Sequence, residues 1–422
     1  MANTAVPQGA SVAVIGAGII GVSSAYELAR QGYEVTIYDP EPPGKAGPSL
    51  ANAVHVAASD IYPLSAPGIH WKALNMLSHR DSPLRVPVAD AIKQIPWFWR
   101  FWQTSQKHKF ETATQALTYL CSRTLADTKA MLNAAGLGDM LETNGCAFLY
   151  DTQKSYLASQ AGWQGKAKAG FDSDNKASQW IADALPDVAD GIQHAVLSNQ
   201  WAMVTEPIDV LRGLVAASKT LGVTFHQYPV TGLQKIDSGV ILEATMGSHQ
   251  YQAVVVAAGV NSATFGQSCG DFIPMAAERG YNLTAPDHGI DLDLPLVFAD
   301  RGVVATRMTS GLRIGGWAEY ANPNRPPNQN YFKAMARISK ELFPNINLDG
   351  ASFWMGNRPS LPDSVPIISR SACASRVFYN CGHGHYGLTH AATSAQILAE
   401  LVSCSSAKDQ YQAYSIKRFL PK

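Results

Sequence analysis

The chain has 422 residues, sets 33 Lys+Arg against 33 Asp+Glu for a net charge of zero, and is 46% hydrophobic with 16% charged residues. That composition describes a folded chain of two or three domains and excludes a disordered tail. The balanced charge gives no bulk electrostatic pull on nucleic acid or on an acidic membrane.

Residues 1–10 hold no basic stretch followed by an apolar one, and no run of 18 apolar residues occurs anywhere, so neither export nor a membrane span is expected and a cytoplasmic setting is. Cys121, Cys146, Cys269, Cys373, Cys381 and Cys404 lack CxxC spacing, which reads as reduced thiols with no zinc or other metal. The first predicted element is a buried strand over Ser11-Val12-Ala13-Val14-Ile15, followed at once by Gly16-Ala17-Gly18-Ile19-Ile20-Gly21. Residues 22–31 follow as a helix, with Val22, Ala25, Leu28 and Ala29 in helical spacing and Gly32 as its stop. A second strand over 33–38 ends at Asp39, 18 positions after Gly21. Residues 86–135 read as mostly helical and contain the aromatic run Pro96-Trp97-Phe98-Trp99-Arg100-Phe101-Trp102.

From Trp201 a second α/β stretch begins, with a helix over 208–221 and strands over 224–228, 239–243 and 251–259. Strands are expected over 280–285, 303–308 and 312–317, a Pro-rich loop over 358–366, and a strand over 377–380. A turn rich in glycine and histidine (381–387) and a final helix (388–404) close the chain, and there is no internal repeat.

The glycine turn sits where it carries chemistry: strand before, helix after, acid downstream. Gly16 permits the tight turn, Gly18 the approach of a pyrophosphate, and Gly21 close helix–strand packing. Unpaired N–H groups of the helix start, around Ile19 and Ile20, face the phosphates, and Asp39 next to Pro40 accepts from a ribose diol. This much leaves NAD and FAD open.

Four separated stretches carry a resemblance that decides between them. They are residues 12–39; Ala51-Asn52-Ala53 through Ala66-Pro67-Gly68 to Lys72-Ala73; Leu312-Arg313-Ile314-Gly315-Gly316-Trp317-Ala318-Glu319; and 353–363 through Gly382-His383-Gly384-His385-Tyr386-Gly387-Leu388-Thr389. The chain resembles the FAD-dependent D-amino acid oxidase superfamily, and within it the bacterial D-amino acid dehydrogenases of small-subunit type. The resemblance implies an α/β fold: a Rossmann-like FAD-binding domain, discontinuous over 1–85, 195–265 and 350–422, plus a substrate domain over 86–194 and 266–349 with an antiparallel sheet and helices. It implies that Ser49, Ala51, Asn52 and Ala53 pass along the pyrophosphate and flavin edge, and that Val230 meets the adenine. Ala258 and Gly259 then close the nucleotide half, and Gly384, His385, Tyr386, Gly387, Leu388 and Thr389 face the isoalloxazine. His383 and His385 are expected to pack or bond backbone, not to bind metal.

Arg358, in Gly356-Asn357-Arg358-Pro359, matches the family's holder of the substrate carboxylate, a role that suits a guanidinium fork. The alternative is a structural ion pair with Asp363. The implied reaction is oxidation of a D-amino acid to a 2-oxo acid and ammonia, by hydride transfer from Cα to flavin N5, with quinone or another carrier as electron acceptor. A D-proline or hydroxy-D-proline type dehydrogenase and a glycine or sarcosine type oxidase using oxygen remain open, as does a flavin-binding scaffold without catalysis. Two departures fall in the loop near the substrate: Val54-His55 replaces the usual Gly then Gln, and Asp60 replaces a common tyrosine, with Tyr62 two residues on. Asp60 or His55 is expected to steer the choice of side chain toward cationic or cyclic substrates. Tyr281, next to Arg279 and Gly280, together with Arg307 and Tyr320, completes the candidate wall, Tyr281 donating to the carboxylate beside Arg358. No cysteine occurs between 270 and 372, which implies noncovalent FAD. The run over 97–102 reads as the core of a helical region, or as a peripheral membrane contact on the inner membrane; oligomeric state is not legible.

Overall fold

The computed structural model describes residues 5–69, 84–404 and 408–420; Lys72 and Ala73 of the second matching stretch, and the first four residues, lie outside them. The apolar run Ser11–Ile15 lies inside a six-stranded sheet, between Glu34–Tyr38 and Ala253–Val256, with both of which it pairs in parallel. Thr224–His226 extends one side, and Val377–Cys381 with Ile367–Arg370 the other; only that last pairing is antiparallel. Both faces are covered, as a continuous apolar strand requires: Val12, Val14 and Val255 pack on helices, while Ala13, Ile15, Val254 and Val256 pack toward Leu233, Val240, Leu242 and Tyr251. Ile19–Arg30 packs between Gly387–Ser403 and Pro207–Thr220. A three-stranded antiparallel sheet, Val230–Ile236, Gly239–Ala244 and Gly247–Tyr251, adjoins it.

A nine-stranded sheet forms the second half. Its central strands Ala276–Ala285 and Gly311–Tyr320 are antiparallel, and Ser352–Ser360 is the edge strand beside Ala276–Ala285. Arg358 therefore lies on a strand, not in the expected Pro-rich loop. Pro359 is tolerated because the strand is at an edge, where a missing N–H leaves no ladder partner unpaired. The helix Gln329–Leu342 packs against this sheet.

Residues 86–135 are helical as expected, in two pieces, Val88–Thr104 and Lys107–Ala134. The aromatic run divides between two faces: Trp97 is buried, whereas Trp99 and Trp102 are exposed. No helix among the described residues is long and apolar enough to cross a membrane.

Candidate active site

A single cavity of about 1500 Å³ takes its walls from both sheets. Small-ligand pockets run to roughly 300–1,000 Å³, so this one is of dinucleotide size. Its first end is the glycine turn. Gly16 has φ +110°, and a Cβ there would stand 2.4 Å from the Ala257 carbonyl oxygen. One on Gly21 would stand 1.8 Å from the Gly16 oxygen, so both positions exclude a side chain. The Ile19 N–H donates to Ser49 Oγ at 3.0 Å, and Asp39 accepts from the N–H groups of Ala17 (2.8 Å) and Glu41 (2.9 Å). The acid thus sets the turn while lining the cavity beside Pro40.

Gly18, Ile20, Ala51, Asn52 and Ala53 continue the wall, and Val230, Ala258 and Gly259 stand across it. Gly384, His385, Tyr386, Gly387, Leu388 and Thr389 carry it onward. Thr389 Oγ1 accepts from the Ala57 N–H (3.1 Å) and donates to the His55 carbonyl (3.3 Å), fastening the start of Gly387–Ser403 to the strand His55–Ala57. Five wall residues keep a buried polar atom with no partner inside the protein: Asn282 Oδ1, Trp317 Nε1, Asn357 Oδ1, Asn380 Oδ1 and His383 Nε2. Burial, with His390 adding to it, pushes His383 down to about 3, so it is neutral. Glycine cradle, helix N-terminus, cavity-lining acid and orphaned polar atoms together fit a dinucleotide. Among the described residues no three His, Cys, Asp or Glu side chains gather as a metal site.

Arg358 stands at the other end. Its cross-strand neighbour is Glu278, and Nη1 donates to Glu278 Oε1 at 3.0 Å and to the Trp317 carbonyl at 3.0 Å. Nη2 donates to the Gly316 carbonyl at 3.2 Å. Those carbonyls are presented by a bulge: opposite Arg279 and Tyr281, the partner strand runs from Glu319 to Gly316 with one residue extra, and Trp317 sits at φ +46°. Asp363 is not the partner of Arg358; it pairs with Arg418 at 2.7 Å.

Glu278 is the residue that sequence reasoning missed. It is 1% exposed, and both oxygens are engaged: Oε1 by Arg358 and His385 Nε2, Oε2 by Ser360 Oγ (2.8 Å) and Tyr320 OH (3.1 Å). Burial raises its pKa, but His385, Arg358 and Ser360 outweigh that and hold the carboxyl well below the usual range. A signal existed in Glu278-Arg279, two adjacent charges inside an otherwise uncharged strand, since each then needs its own buried partner.

The remaining candidates divide. Tyr281 belongs to the opposite face of its strand from Glu278: its hydroxyl donates to Glu319 at 2.6 Å, a carboxylate that also holds Arg279 at 2.8 Å. Burial and that bond push the Tyr281 phenol up to about 12, and it is not directed at Arg358. Tyr320 takes the place expected of Tyr281 beside the arginine. Asp60 lines the cavity, but Lys166 neutralises it at 3.0 Å and Tyr386 OH donates to it at 3.3 Å. His55 lines the wall with Nε2 2.5 Å from Thr306 Oγ1; burial, opposed by Asp60, lowers it to about 4, leaving a neutral ring. Tyr62 turns away, its hydroxyl on the Gly162 carbonyl (3.2 Å) and its ring stacked on Phe110. Arg307 is half-exposed, 3.8 Å from Asp293, and outside the cavity, because strand alternation points it outward.

Fold and site define a dinucleotide-dependent oxidoreductase with one arginine, Arg358, fixed in the cavity wall. The chain belongs to the DAO family, FAD dependent oxidoreductase, whose profile matches residues 11–401, and its cofactor is FAD. It is similar to a D-amino-acid oxidase of Bradyrhizobium diazoefficiens, at 27% identity over 98% of this chain and 100% of that one. It is also similar to a D-amino acid dehydrogenase of Cereibacter sphaeroides, at 28% identity over 97% and 95%. Among solved structures, glycine oxidase from Geobacillus kaustophilus superposes with a TM-score of 0.75 at 18% identity, covering 98% of this chain and 100% of that one.

Proposed function

We propose that the chain oxidises D-amino acids to 2-oxo acids and ammonia, passing electrons to quinone or another carrier. The observation that carries this reading is Arg358, clamped by Glu278 and two carbonyls at the end of the cavity opposite the dinucleotide turn. Three of its five N–H groups are engaged. Nε–H and the second Nη2–H, adjacent on one edge, remain for a carboxylate. FAD, when bound, supplies the acceptor for a hydride leaving the substrate Cα. The chain's own residues bind and orient. Gly16, Gly18 and Gly21 with Asp39 hold the nucleotide, Arg358 fixes the carboxylate, and the apolar side chains Trp97, Phe98 and Phe101 exclude water from the anchor's end of the cavity. We assign 1–85, 195–265 and 350–422 to cofactor binding, except the strand Ser352–Ser360, which carries Arg358 in the nine-stranded sheet and goes with 86–194 and 266–349 on the substrate side.

The names of the curated relatives support the D-amino acid; the choice of acceptor rests on the helix Val88–Thr104. Its inner face lines the cavity, and its outer face presents apolar side chains suited to a bilayer carrying an apolar carrier. Anaerobic mixing of the holoenzyme with D-, L- and N-methyl amino acids, proline and glycine tests the reading. Bleaching by D-amino acids is expected; bleaching only by glycine or sarcosine, or by none of the panel, overturns it. Stoichiometric hydrogen peroxide in air would replace the carrier by oxygen.

A further inference from the structure

Glu278 does more than neutralise Arg358. The same oxygen, Oε1, that takes Arg358 Nη1 also takes His385 Nε2, so one buried carboxylate holds two cavity-lining side chains side by side. Its other oxygen is held by Tyr320 and Ser360, which leaves the carboxylate no freedom to turn. With Nε2–H committed to the carboxylate, His385 has only Nδ1 left. That nitrogen forms no protein hydrogen bond among the described residues, and the side chain is 33% exposed in the cavity. The arrangement is that of an oriented base: a carboxylate fixes the tautomer, and the free nitrogen is an acceptor.

An α-amino acid arrives with an ammonium group at neutral pH, and that nitrogen must be neutral before its Cα–H can leave as hydride. We propose that His385 is the catalytic base that takes this proton, and that Glu278 is the positioning residue that sets base and anchor together. The inference rests on the amino-acid reading above. In the step itself the N–H bond of the ammonium breaks, its electron pair stays on the amine nitrogen, and the proton forms a bond to Nδ1; nothing is oxidised or reduced. The imidazolium formed lies against Glu278, and the proton passes to solvent water after product leaves. Arg358 and His385 share one oxygen of Glu278, a spacing that suits the carboxylate and amine of a single α-amino acid. The groups facing His385 are Glu278 from its own strand, Arg358 from the edge strand, Tyr320 from the third, and, beyond Tyr386, the Asp60–Lys166 pair.

The test uses holoenzyme with His385→Asn and Glu278→Gln. For His385→Asn, the rate of anaerobic flavin reduction falls by about 10²-fold or more, the range of a lost general base. Its pH profile then follows the free amine, rising tenfold per pH unit, while KM changes less than threefold. Glu278→Gln moves the profile in the same direction and also raises KM, because Arg358 loses its clamp. A second readout needs no turnover: on saturation with 2-aminoisobutyrate, which has no Cα–H, the imidazole ¹⁵N resonance missing from the His385→Asn spectrum moves to the imidazolium position. A wild-type pH profile in His385→Asn, or a resonance that stays neutral at saturation, overturns the proposal and leaves the substrate reading standing. Failure of every amino acid to reduce wild-type flavin overturns both.

Discussion

Gly280 lies beneath the guanidinium of Arg358, and a Cβ there would stand 2.2 Å from Cζ and from Nη2. An exposed arginine would swing aside; this one is held by Glu278 and the Gly316 and Trp317 carbonyls, so the two demands conflict. Gly280→Ala is expected to fold and keep FAD, because the nucleotide turn is at the other end of the cavity. Its KM should rise on the order of 10–100-fold, the loss of charge-assisted hydrogen bonds worth about 1.5–3 kcal/mol. Steady-state kinetics beside flavin absorbance per chain check both. Glu278 adds a pH dependence. Its folded pKa lies below the ordinary 4.5, so the unfolded chain takes the proton first. The stability it contributes is full above about pH 4.5 and falls as the pH drops below that. Urea midpoints should place Glu278→Gln below wild type at pH 7, with the gap narrowing on going to pH 4; a gap that widens contradicts the sign. That Asp39 and Arg358 reach the cavity was legible because each sits in a short motif with a chemical reason. Glu278 was not, because its partners Arg358, Tyr320 and His385 come from three other segments that only the fold brings together.

The helix Val88–Thr104 shows where a residue pattern needs the element to be interpreted. Val88, Ile92, Ile95, Trp99 and Trp102 recur at three- and four-residue spacing along one exposed face, Val88 at 89% and Ile92 at 77%. Lys93, Lys107 and Lys109 are exposed nearby. The aromatic run alone admitted both core and interface, and the helix divides it: Trp97 turns inward on Tyr320, Trp102 lines the cavity while partly exposed, and Trp99 faces outward. An apolar stripe flanked by lysines is the pattern of an interfacial helix. Replacing Ile92, Ile95 and Trp99 together by serine should abolish flotation with anionic vesicles and leave the melting temperature and the anaerobic reduction rate unchanged, since these side chains face outward. Co-flotation of that variant with the vesicles refutes the assignment. The first strands were readable because Ser11–Ile15 is an almost wholly apolar run and Glu34–Tyr38 alternates with β-branched residues. Ser173–Lys176 was not, as its four residues carry no apolar signal and it is placed by pairing with His194–Ser198. In Ser352–Ser360, Pro359 concealed a strand end that an edge position permits.

At the scale of the whole molecule, the cavity is where distant parts of the chain meet. Ser11–Ile15 pairs with Ala253–Val256, which pairs with Val377–Cys381, so the nucleotide half is closed by strands more than 200 residues apart. Long-range order of this kind follows from the family resemblance and not from local pattern, which is why the middle of the chain stayed obscure. The second, nine-stranded sheet brings Arg358 to the same cavity, so cofactor and anchor are joined only when both sheets are in place. FAD that binds across such a seam stabilises the folded chain by mass action, by about 4 kcal/mol when free FAD is 1,000-fold above Kd. Apoprotein should therefore melt several degrees below holoprotein and recover on addition of FAD. No cysteine lies between 270 and 372, and the six cysteines of the chain are free thiols. We accordingly expect FAD to be held without a covalent bond. Acid precipitation should carry all the yellow colour into the supernatant, and colour kept in the washed pellet would mean that another side chain is bonded to the flavin.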